Sequence, residues 1–130
     1  MALRKNTELR NGQADALGAF FNGGTLKIYT GGQPASANDA ASGSLLATIT
    51  IPATAFGASA SGVIAKSGTW SVVATGTGTA GWARMESSAG ARKMDFLCAE
   101  SAAELIIDND AIVTGGVVTV TALTLTTPAA

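Results

Sequence analysis

Two periodicities divide the chain. Up to residue 24, Leu9, Gln13, Ala16, Leu17, Phe20 and Phe21 recur close to helical spacing, and Leu9, Leu17, Phe20 and Phe21 are strongly apolar. The pattern predicts an N-terminal helix. Asn6 or Thr7 can cap its start by accepting a backbone N–H bond. Asn22-Gly23-Gly24 can end it, because glycine tolerates the left-handed backbone of many helix exits. Gly12 and Gly18 each weaken a helix by about 1 kcal/mol relative to alanine, so this one needs a packing partner. That partner is either the domain's own sheet or a neighbouring subunit.

From Thr25 the period is two. Thr25–Thr30 places Leu26 and Ile28 on one face and Lys27 and Tyr29 on the other. Residues 31–43 are rich in Gly, Ser, Asn and Ala with one Pro, and read as a loop. Ser44–Ile51 is an apolar strand with Leu45, Ala47, Ile49 and Ile51 inward, stopped by Pro52, which cannot donate to a ladder. A small-residue connector around Phe56 leads to short strands at Gly62–Lys66, Thr69–Thr75, Thr79–Ser87, Ala91–Ala99 and Ala103–Ile107. Ser87-Ser88-Ala89-Gly90 reads as a turn between paired strands. In the last strand, Val117–Thr126, the apolar phase shifts from Val118 and Val120 to Leu123 and Leu125. Either a bulge near Ala122 or burial of both faces explains the shift. Pro128 closes the chain.

About eight short strands separated by turns, with the helix ahead of them and not alternating with them, predict a mainly β fold: an antiparallel β-sandwich or barrel-like domain with one N-terminal helix. The division is a helix or arm over 1–24 and a β domain over 25–130. At 130 residues the chain is one domain's length and can bury a core without staples.

Composition narrows the function classes. Eight basic and nine acidic residues leave the chain nearly neutral, and only 13% of it is charged, which favours association over a solvated monomer. Arg4, Lys5 and Arg10, and the pair Arg92-Lys93, are interspersed with acids and form no basic stripe, so no nucleic-acid partner is expected. The start of the chain lacks the apolar run of a signal peptide, and no stretch of 18 apolar residues occurs, so no membrane partner is expected either. Synthesis and assembly in the cytoplasm fit the free Cys98.

Histidine is absent, which closes the Ser-His-Asp and Cys-His routes. Cys98 sits in the apolar run Phe96-Leu97-Cys98-Ala99 and reads as a buried, inert thiol. Glu86, Asp95, Glu100 and Glu104 lie on or beside strands with no spacing that forces two across a cleft. Asp108-Asn109-Asp110 opens like a calcium loop but continues Ala-Ile-Val-Thr-Gly-Gly, without the later ligands, and reads as a turn. The Gly-Gly pairs lack a phosphate-loop lysine. No catalytic residue, metal ligand or cofactor is expected. Trp70 or Trp82 could serve as a sugar platform in a carbohydrate-binding sandwich, although core packing is the commoner role of tryptophan.

The runs Gly24–Ala37 and Gly43–Thr48, the segment Gly78-Thr79-Ala80-Gly81-Trp82-Ala83-Arg84, and Ile112-Val113-Thr114-Gly115 before a Thr-rich last strand resemble small virion structural proteins of tailed bacteriophages. The resemblance implies a non-enzymatic particle component present in many copies. Its leading placement is the capsid surface, as a decoration or cement protein that binds the major capsid protein and copies of itself, with a homotrimer favoured, after assembly in the host cytoplasm. A minor tail or tail-fibre-attachment protein is the alternative. In either role Leu9, Leu17, Phe20 and Phe21 are the candidate subunit contacts, and residues 1–21 and the loop 31–43 are the segments expected to reach a partner.

Overall fold

A computed structural model describes residues 4–101, 103 and 105–126; Glu104 and Pro128 lie outside them. Among the described residues, one helix precedes nine strands: α1 (Thr7–Phe20), β1 (Thr25–Thr30), β2 (Leu45–Thr50), β3 (Val63–Ala65), β4 (Trp70–Val73), β5 (Gly78–Glu86), β6 (Lys93–Ala99), β7 (Leu105–Ile107), β8 (Ala111–Ile112) and β9 (Val117–Thr126). The fold is mainly β, as the period-two runs predict. The strands form one sheet in the order β2-β1-β5-β6-β7-β9-β3, with β4 also on β9 and β8 on β5.

Pairing is antiparallel except between β6 and β7. Those two overlap only at Cys98↔Leu105 and Ala99↔Ile106, the end of one strand against the start of the next. The chain therefore steps sideways and continues in the same direction, so the long crossover that parallel strands normally need is avoided. β8 adds to the sequence reading, which places no strand between Ile107 and Val117. Ala111 and Ile112 pair with Thr79 and Gly78 directly after the Asp-Asn-Asp turn.

The sheet curls into a half-barrel. At one end Thr75 and Gly76, just past β4, donate their N–H groups to the Leu46 carbonyl of β2 at 2.9 and 3.1 Å. The curl follows three register shifts among the described residues, each adding one unpaired residue and so extra twist. On β9, Ile107↔Val120 is followed by Ile106↔Ala122, which leaves Thr121 over. This is the bulge that the phase shift predicts, and it turns Leu123 and Leu125 inward along with Val118 and Val120. On β2, Ile28↔Ala47 is followed by Tyr29↔Leu45. Leu46 is the extra residue there. It is buried and Leu45 is exposed, which reverses the predicted phase at the start of that strand. On β5, Tyr29↔Trp82 is followed by Thr30↔Ala80, with Gly81 left over.

The core lies inside the curl: Leu26, Ile28, Ile49, Met85, Phe96, Leu105, Ile107 and Val120 are among its buried members. The helix is packed on its own sheet. Asn6 caps it, its Oδ1 accepting from Leu9 N at 3.0 Å, and Gly23 beyond its end has φ +72°. Ala14 and Phe21 join the core, and Gly18 brings the helix against Ile64 of β3 and Phe56. Two polar side chains of the helix and one just past its end fasten the 53–62 connector: Asn11 Oδ1 accepts from Gly62 N at 2.7 Å, Asp15 Oδ1 from Ser59 N at 3.2 Å and Asn22 Oδ1 from Ala55 N at 3.0 Å.

Gly81 is the test of the curl. A Cβ there would overlap the Gly31 carbonyl oxygen, backbone against backbone, so neither side can rotate away. Gly81→Ala is expected to cost about 1–3 kcal/mol, measured as a fall in urea midpoint at unchanged m-value.

Candidate interaction surfaces

The side of β1, β5 and β6 that faces away from the core carries a second packed layer. Tyr29 and Trp82 face each other across β1 and β5 and stack, with ring centroids 4.7 Å apart. Arg84 and Asp95 are directly opposite across β5 and β6, and both are buried. Arg84 Nε and Nη2 donate to the two Asp95 oxygens at 2.7 and 3.1 Å, a bidentate fork. The Asp95 hydrogen bond holds the guanidinium pKa above its ordinary value, against the opposing effect of burial. The remaining nitrogen, Nη1, donates to Asp39 O at 2.8 Å, and the Trp82 indole N–H donates to Ser42 O at 3.2 Å. Ser42 in turn donates to Gly32 O at 3.0 Å. Residues 31–43 are thus a lid fastened over this layer. Their own sheet holds them in place, through side chains that the loop's composition gives no hint of, and leaves them exposed on their outer side.

The candidates for chemistry among the described residues are engaged in the fold. Glu86 pairs with Lys27 at 3.0 Å, and Glu100 accepts from Asp110 N at 3.2 Å. Asp108 Oδ1 accepts from Thr119 N at 3.2 Å and Asn109 Oδ1 from Ala111 N at 2.9 Å, so this segment is a turn held by its own side chains. Cys98 is buried, and desolvation, with a smaller effect from Asp110, pushes its thiol up to about 12. Trp70 and Trp82 are both buried, which corrects the sugar-platform alternative, since neither indole has a free face. Among the described residues no group of acids and cysteine could hold a metal ion, and no buried side-chain N or O lacks a hydrogen bond. No helix among them is long and apolar enough to cross a membrane.

What remains available is apolar surface. The helix was expected to present one apolar face, but the structure splits it. The inner face is built from small residues, Ala14 and Gly18, with Leu17 packed against the core and Phe21 within it. Phe21 is 2% exposed, so it is corrected from candidate contact to core residue; Leu17 is largely covered as well. Leu9 and Phe20 remain exposed, at 53% and 44%. They lie on the opposite face with Gly12, Gln13 and Ala16 between them, and an open groove runs along Leu9, Gly12, Gln13 and Ala16. Arg92 of the β5–β6 turn covers part of Phe20, its guanidinium carbon 4.3 Å from the ring centroid.

A second apolar surface went unnoticed in the sequence. Val73 and Val117 are paired across β4 and β9, and Gly116 N donates to Val113 O at 2.9 Å, which brings Val113 to the same edge. All three are more than half exposed. The two surfaces sit at opposite ends of β9. β3, on which the helix packs, pairs with Thr124–Thr126, whereas Val117 begins the strand. At about 3.3 Å per residue the strand between those two ends is roughly 25 Å long. Comparison of the chain with known protein families, with curated proteins and with solved structures returns no match.

Two measurements check this layer and the thiol. Asp95→Ala leaves the Arg84 charge buried and unpaired and is expected to cost about 3–5 kcal/mol. Replacing both, as Arg84→Met with Asp95→Leu, is expected to cost less yet to free the lid, seen as faster amide exchange over 36–44. In the native protein at pH 8, Cys98 is expected to react with a thiol reagent only at the rate of global unfolding. Its folded pKa lies above the unfolded one, so the stability it contributes is complete below about pH 9 and is lost as pH rises from there toward 12.

Proposed function

We propose that the chain is a non-enzymatic structural subunit of a bacteriophage virion, a capsid decoration or cement protein that stabilises the head by bridging neighbouring major capsid subunits. The observation that carries this reading is the pair of exposed apolar surfaces at opposite ends of β9 on one small, nearly neutral domain. A subunit that only encloses its own core needs neither surface, and a ligand-binding module needs a concave pocket with converging polar groups. Two separated apolar surfaces suit a part that touches two neighbours at once. The resemblance to small phage virion proteins supports the same placement, with the protein on the capsid exterior after assembly in the host cytoplasm.

The energetics suit a shell held by many copies. Apolar area removed from water contributes about 25 cal/mol per Å² before ordering costs are subtracted, so each contact is modest. The bridge acts by summing such contacts over a symmetric surface.

Particles made without this chain are expected to assemble and package DNA, then release it at lower temperature and under chelation or osmotic shock. Adding the purified chain should restore heat resistance, and a Val73→Lys, Val117→Lys chain should fail to do so. Particles that are equally robust but no longer adsorb to cells would overturn the decoration reading in favour of a minor tail or fibre-attachment protein.

A further inference from the structure

We infer that the outer face of α1 is a self-complementary contact, on which a second copy of this chain docks helix to helix, antiparallel, about a two-fold axis between Gln13 and Ala16. The face carries a projection and a recess. Phe20 projects at its C-terminal end, 44% exposed, and the groove along Leu9, Gly12, Gln13 and Ala16 occupies its N-terminal half. The recess exists because Gly12 has no side chain and nothing lies within 4 Å of where one would begin. Leu9 and Phe20 are about 16 Å apart along the helix at 1.5 Å per residue. An antiparallel pair centred between Gln13 and Ala16 sets Leu9 opposite the second copy's Phe20, so each Phe20 enters the other's groove. A parallel pair fills no groove unless the helices slide by their separation, and then fills one and leaves an open chain. Only the antiparallel arrangement closes, as an isologous contact must.

Charge agrees with the shape. Glu8, in the first turn, carries the acid of this face, and Arg92 stands over Phe20 at the other end. The antiparallel pair brings Glu8 of each copy beside Arg92 of the other, twice by symmetry. A parallel pair would set like charges together. The contact is small. A 14-residue helix is about 21 Å long, and one helix pair falls below the roughly 1,200 Å² of a stable interface. It is therefore a weak, reversible contact that gains strength when copies are concentrated on a surface. The inference deepens the decoration reading and rests on it for the setting: the helix takes the second copy, and the valine edge is left for the shell.

Sedimentation equilibrium of the purified chain over a concentration series tests it. The mass is expected to rise from one chain toward two. Gly12→Arg fills the recess without crowding the fold, so it should abolish association with a melting temperature no lower than the parent's, since arginine favours helix over glycine. Leu9→Lys is the second variant should the first fold poorly. Glu8→Arg and Arg92→Glu should each weaken the pair about fivefold at low salt, and the two together should restore it. A monomer at the highest concentration, a trimer, a Gly12→Arg chain that still pairs, or a double swap no better than the singles would overturn the contact. A monomer that still restores heat resistance to particles sinks the pair and leaves the decoration reading standing; a pair that never binds particles does the reverse.

Discussion

A sheet of short strands in a chain of this size can enclose a core only by curling, and three single-residue insertions make it curl. Leu46, Gly81 and Thr121 each stand unpaired in a ladder. Without them β2, β5 and β9 would keep strict alternation, and Leu46 on one strand and Leu123 and Leu125 on another would face water. With them, the end of β4 comes round to the Leu46 carbonyl, and the apolar residues of both halves share one interior. The sideways step from β6 to β7 serves the same end by joining the halves without a crossover. Everything outside the curl, the helix included, is placed by it.

The curl also creates the second layer. A strongly bent sheet has a convex side that must be either polar or covered. On β1, β5 and β6 it is covered, and the cover needs anchors. Arg84 supplies them: its planar fork satisfies Asp95 on the neighbouring strand and still has a donor for the Asp39 carbonyl of the lid. Lysine, with a compact ammonium and no fork, could not meet both demands in fixed directions. The stacked Tyr29 and Trp82 fill the space beneath, and the indole N–H finds the Ser42 carbonyl, so the layer closes with its buried side-chain polar groups satisfied. The Gly81 bulge links the two layers, since it lets the Gly31 carbonyl approach at the point where the lid leaves β1.

Where a feature is carried by local spacing, it was legible in the sequence. The helix and its Asn6 cap, the period-two strands, the turn at 87–90 and the bulge that shifts the phase of the last strand all leave a trace within a few residues. The Leu45-Leu46 bulge left none, because two adjacent leucines read equally well in either phase and only the pairing with Tyr29 decides. The helix was only partly legible. Spacing marks Leu9, Leu17, Phe20 and Phe21 as contacts with either the domain's own sheet or a neighbour, whereas close approach to Ile64 and Phe56 requires small residues, which Ala14 and Gly18 supply. Of the four candidate contacts, Leu9 and Phe20 remain on the surface and Phe21 does not. The valine edge was invisible because Val73, Val113 and Val117 become neighbours only through the β4–β9 pairing and the turn before β9.

That inversion bears on function. A helix that buries its small residues and shows its large ones is costly for a free monomer, since Leu9 and Phe20 could be polar without disturbing any contact in the core. The same holds at the other end of β9, where Val73 and Val117 face outward from a pair that would tolerate threonine, a residue of similar shape and β-propensity that this chain uses freely on its outer strands. Both surfaces depart from the pattern of apolar inside and polar outside with large side chains. Leu45 and Leu97 are exposed as well, each as a single residue, whereas these two places gather several; such departures from the local rule are where a functional contact is expected. Here they are apolar and at opposite ends of the longest strand, a placement that supports the bridging role proposed above.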